Sequence, residues 1–85
     1  MKIRNLLQQK LEDKGLWPQE AQAVLKAAEA NPANQPMQKR WEDDSEDYPT
    51  ALLSLLLIGV EHEAVRWLKA NKPQHFALKM FEENN

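Results

Sequence analysis

Residues 50–60 read Thr50-Ala51-Leu52-Leu53-Ser54-Leu55-Leu56-Leu57-Ile58-Gly59-Val60, and this stretch decides the fold. Seven of its positions carry large aliphatic side chains and none carries a charge. A half-buried strand would show a polar residue at every second position, and this run does not. It reads instead as a helix that is apolar almost all round and therefore buried on most of its sides. The run is too short to span a bilayer, which takes about 20 apolar residues, and Glu61-His62-Glu63 ends it. Ala64, Val65, Trp67 and Leu68 then restore a one-sided stripe, so the spacing predicts a helix over 50–71 that Gly59 can kink or split. Asn71 and Pro73 supply the stop.

Working outward, Ile3, Leu6, Leu7 and Leu11 share one stripe of a helix over 3–14. Gly15 ends it by offering a left-handed residue, and Leu16 is placed to pack back onto Leu11. Pro18 opens a second helix over 18–30 whose inner face is Ala21, Val24, Leu25 and Ala28, and Asn31-Pro32 closes it. A short helix over 73–82 is expected to bring Phe76 and Met80 together with Phe81 beside them. Pro18, Pro36, Pro49 and Pro73 all fall at proposed helix starts, so turn chemistry and apolar period agree. The expectation is an all-α fold, one domain over residues 1–85. Four helices form a small bundle around a central buried leucine-rich helix, with a long irregular acidic loop.

That loop, residues 31–49, holds three of the five prolines. A turn over 36–41 can lay Met37 and Trp41 on the core. Of the three tryptophans, Trp67 is expected in the core. Trp41, beside Arg40 and the acidic run, is the one expected at a surface. Residues 42–47, Glu-Asp-Asp-Ser-Glu-Asp, carry five negative charges. Their ordinary role is to complement the positive start of the long helix through Ser45, Glu46 and Asp47. A partner-binding patch is the second reading. A calcium loop is the weakest, because no glycine lies between Gly15 and Gly59 to make its turn.

Charge is uneven: residues 1–41 hold seven Lys/Arg against four Asp/Glu, and residues 48–85 balance. There is no cysteine, which excludes disulfides, thiolate metal sites and thiol nucleophiles. Glu61, His62 and Glu63 point about 100° apart on a helix and cannot converge on one ion, and His75 is distant in sequence. Ser45, Ser54 and Thr50 are the only hydroxyl nucleophiles of their kind, and two glycines cannot build a phosphate loop. No catalytic residue, metal or cofactor is expected. The first residues contain no signal-peptide core, so the expected compartment is the cytoplasm.

Several features resemble a group of short hypothetical proteins from bacteria and their phages or prophages. They are Gly15-Leu16-Trp17-Pro18, Asn31-Pro32-Ala33-Asn34 with Pro36-Met37, Arg40-Trp41 with Asp43-Asp44, Tyr48-Pro49, Ala64 with Trp67, Asn71 with Pro73, and Met80-Phe81. That group carries no assigned activity, so no functional residue transfers. The resemblance implies a small protein that binds and blocks a host protein, a defence nuclease among the candidates.

The expected function is therefore non-catalytic protein–protein binding. Its first candidate surface is Trp41 with Asp43, Asp44, Glu46, Asp47 and Tyr48, an aromatic anchor beside steering charge. The second is any leucine of 52–60 left uncovered. Burial of those seven side chains is worth roughly 10–20 kcal/mol, so if three short helices cannot cover them a homodimer would. The alternative is a small DNA-associated regulator using Lys2, Arg4, Lys10 and Lys14 on the first helix. Helix 18–30 itself presents more anions than cations outward, which opposes DNA reading.

Overall fold

A computed structural model describes residues 1–32 and 40–83. The helices among the described residues are α1 (Ile3–Asp13), α2 (Pro18–Ala30), α3 (Thr50–Asn71) and α4 (Phe76–Glu83), with a short 3-10 turn at Ser45–Asp47. No strand occurs among the described residues, and one isolated antiparallel bridge joins Lys2 to Asp44. The fold is the small all-α bundle that the apolar spacing predicts. No helix among the described residues is long and apolar enough to cross a membrane.

α1 buries Ile3, Leu7 and Leu11. Its end has the geometry expected of a glycine stop: Gly15 sits at φ +110°, and its N–H donates to the Glu12 carbonyl at 2.9 Å. Leu16 N–H reaches the Leu11 carbonyl at 3.4 Å, and Leu16 is buried. Gly15 is required for a second reason. A Cβ there would lie 2.6 Å from a ring carbon of Phe76, so α4 lies directly against this turn.

α2 starts at Pro18 and buries Ala21, Val24, Leu25 and Ala28. α3 touches each of the other helices and runs without a break through Gly59. Its buried apolar residues Leu56, Val60, Ala64 and Leu68 recur every four positions and define one inward stripe, with Glu61 and Glu63 buried at its edges. α4 starts at Phe76 rather than Pro73, because the His75 ring takes the capping position: Nδ1 accepts the Ala77 N–H at 3.0 Å.

Two expectations are corrected by how these faces pack, the burial of the central helix on most sides and the choice of tryptophan in the core. The central helix is not buried on most sides. Leu52, Leu53 and Leu57 are half-buried, and Leu55 and Ile58 are 64% and 48% exposed. The other helices cover one side of α3, and nothing among the described residues lies over the opposite one. On α4 the inner positions are Ala77 and Phe81, while Phe76 and Met80 face outward, a rotation set by Phe76 lying against Gly15. Among the tryptophans, Trp41 is in the core at 2% exposure, Trp67 is only half-buried, and Trp17 is exposed. The expected partner of Trp41, Met37, lies outside the described residues, as does most of the turn over 36–41.

Candidate functional site

The acidic elbow is built around the start of α1. The first N–H groups of a helix have no partner within it. Here Ile3 N–H donates to the Asp43 carbonyl at 2.9 Å and Arg4 N–H to the Trp41 carbonyl at 3.0 Å. Ser45 N–H returns a bond to the Met1 carbonyl at 2.8 Å. Pinning the Trp41 carbonyl to α1 brings the chain over the core, and the indole follows it inward. Its Nε1 has no hydrogen-bond partner among the described residues.

The side chains of the elbow are largely engaged in the same work. Lys2 Nζ donates to Glu42 at 2.9 Å, and that bond with the lysine charge holds the Glu42 carboxyl below its usual range. Asp44 accepts the Glu46 N–H and the terminal ammonium, both at 3.2 Å, and its carboxyl is held down by these two groups. Asp43 accepts the Tyr48 hydroxyl, which raises the tyrosine's pKa. Glu46 and Asp47 are the carboxylates left pointing outward. The helix-end role expected of this run is present, but at α1. Pro49 precedes α3 as its capping residue and supplies no side-chain cap, the N–H groups of Leu52 and Leu53 reaching the Pro49 carbonyl. The six-residue surface therefore has no exposed indole to anchor it.

The basic residues of α1 are dispersed in the same way. Lys2 holds Glu42, Arg4 holds Glu29 at 2.8 Å, and Lys14 lies 5.9 Å above the Phe81 ring. Lys10 stands apart from these, at the rim of a groove between α1 and α3.

The described residues contain no group of three or more His, Cys, Asp or Glu placed to hold a metal ion. His62 is exposed, while Glu61 and Glu63, about 200° apart on the helix, are buried on either side of it. Glu63 accepts bonds from Arg66 at 2.6 Å and from Asn31 at 3.3 Å. The titratable cluster that sequence reading missed centres on Glu20, which is 5% exposed. Its carboxylate accepts the Trp17 N–H at 2.8 Å, the Lys72 ammonium at 2.6 Å and the His75 Nε2 at 3.2 Å. Burial pushes its pKa upward, but the lysine and backbone bonds and the electrostatic pull of the His75 and Lys72 side chains outweigh that and hold it below the ordinary value. Because His75 Nδ1 accepts from Ala77, Nε2 carries the proton given to Glu20. Both ring nitrogens are thus committed. The cluster ties the start of α2 to the end of α3 and the start of α4. One signal was available: Glu20 is the third residue after Trp17, where a glutamate reaches back to the helix start.

Apolar surface also remains uncovered. Ala51, Leu55, Ile58 and His62 form an exposed stripe down the outer side of α3. Beside it, Leu6, Leu7 and Lys10 of α1 face Leu53, Ser54 and Leu57 of α3 across a groove of about 280 Å³. Ser54 belongs to the groove wall and borders the stripe, so the two form one surface. In comparisons with protein-family models, curated proteins and solved structures, nothing matches this chain.

Proposed function

We propose that this chain is a non-catalytic helical binding protein that works by seating another protein chain on the outer stripe of α3 and the groove beside it. The observation that carries this reading is the exposure of Leu55 and Ile58, 64% and 48%, at the centre of the chain's most apolar segment. Each such side chain gains about 1.5–3 kcal/mol on full burial, and contiguous apolar surface of this kind marks contact sites. The titratable clusters, by contrast, are committed to holding helices together: Glu20 with Lys72 and His75, and the acidic elbow with the start of α1. That arrangement favours binding over catalysis. Glu46 and Asp47, outward at the start of α3, supply steering charge of the kind that changes association rate more than affinity. The phage-type resemblance adds one form of the reading, an inhibitor or adaptor seated on a host protein such as a defence nuclease.

The test replaces Leu55 and Ile58 together by glutamate. Both side chains face solvent, so the far-ultraviolet circular dichroism of the variant should match the parent. Capture of partner chains by the immobilised protein should fall to background. Undiminished capture by a folded variant overturns the assignment of this surface.

A further inference from the structure

We infer that the chain seated on α3 is a second copy of this protein, paired antiparallel about a two-fold axis that passes between Leu55 and Ile58. The inference rests on the outer stripe being a contact surface and names its occupant. Ala51, Leu55, Ile58 and His62 are spaced four, three and four residues apart, the alternation with which two helices keep one seam facing each other. The pattern is also symmetric about its midpoint. Reversing a second copy sets Leu55 against the partner's Ile58, and Ala51 against the partner's His62. A two-fold interface needs this property, since one patch must complement itself.

Charge supports the same direction. Residues 50–60 carry no charged side chain, so the middle of the seam holds no repulsion in either direction. The ends differ. Reversal brings exposed Asp47, just before α3, toward exposed Arg66 of the other copy, whereas a parallel pair would set aspartate beside aspartate and arginine beside arginine. Arg66 already holds Glu63, and a guanidinium has donors to serve both. The groove lies on the flank of the same stripe and gives room for the partner's larger side chains. A cavity of about 150 Å³ admits a benzene ring, and the groove is about 280 Å³. An unrelated apolar helix could fill the stripe, but the reversal symmetry and the matched ends are used only by a second copy.

Sedimentation of the intact chain should give twice the 9.9 kDa mass. Leu55→Glu should return it to the single-chain mass with unchanged circular dichroism, a dissociation constant at least about tenfold weaker. Because the chain lacks cysteine, direction can be read covalently. The double variant Ala51→Cys with His62→Cys should oxidise to a linked pair, and Ala51→Cys alone should not. Within one chain these positions lie about 16 Å apart along the helix, too far to bridge each other. Equal cross-linking by Ala51→Cys alone overturns the antiparallel direction. A single-chain mass for the parent at millimolar concentration, or a dimer that survives Leu55→Glu, overturns the pairing. If the parent is a monomer yet capture of another protein still depends on Leu55 and Ile58, the contact surface stands without the dimer. If neither responds, both readings fail.

Discussion

The carboxylate of Glu20 accepts bonds from a backbone N–H, an ammonium and an imidazole while almost hidden from solvent. Removing its charge leaves the Lys72 and His75 donors facing a weaker acceptor. Lys72 is half exposed, so water screens part of that loss. Glu20→Gln should therefore cost about 1.5–3 kcal/mol, the range for bonds to charged groups, less than the loss from breaking a fully buried pair. The pH dependence follows from the lowered pKa. The unfolded carboxyl titrates near 4.5 and the folded one below it, so the stabilisation is fully present above that value. It disappears as pH falls through the folded pKa. Urea denaturation at pH 7 should show the full gap between parent and variant, and the same measurement in strong acid should show the two converging. At this scale the sequence was half informative. The position of Glu20 at the third helical residue is a local signal. Its partners are 52 and 55 residues away, and nothing local announces them.

Helix starts and stops were legible because they depend on residues a few positions apart. α1, α2 and α3 begin and end within a residue of where apolar spacing, prolines and Gly15 place them. α4 starts three residues late, since a histidine ring replaced the proline as its opening device. The two glycines make opposite predictions at this scale. Gly15 has a positive φ and a ring against it, so Gly15→Ala should cost about 1–3 kcal/mol. Gly59 lies inside the continuous α3 without positive φ, so Gly59→Ala should stabilise by about 0.5–1 kcal/mol. Thermal melts of the two variants should move in opposite directions. A melt lowered by Gly59→Ala would mean that the glycine admits a neighbour that a methyl group displaces.

Across the whole molecule, charges that looked available in one dimension turn out to be spoken for in three. The basic residues of α1 and the acidic run, separated by about 40 positions, meet because the elbow closes over the start of α1. Lys2 and Arg4 are on carboxylates and Lys14 is over a ring, so three of the four cations the DNA-associated alternative would use already have contacts within the chain. Titration of random duplex at low salt should give no shift. Binding that collapses as salt rises would revive the DNA-associated alternative. The same closure carried Trp41 inward and removed the anchor from the acidic surface.

The residues alone determined that this chain is helical, where its first three helices begin and end, and that its middle helix carries more apolar surface than any other. Those properties follow from backbone geometry and side-chain period, which act over a turn or two. Packing alone decided which side of α3 stays in water, which tryptophan is buried, and which charges are neutralised. Each of these depends on how much area the remaining helices can cover and from which direction they arrive. Three partners on one side of a rod leave the other side bare, and no local pattern says which side that will be.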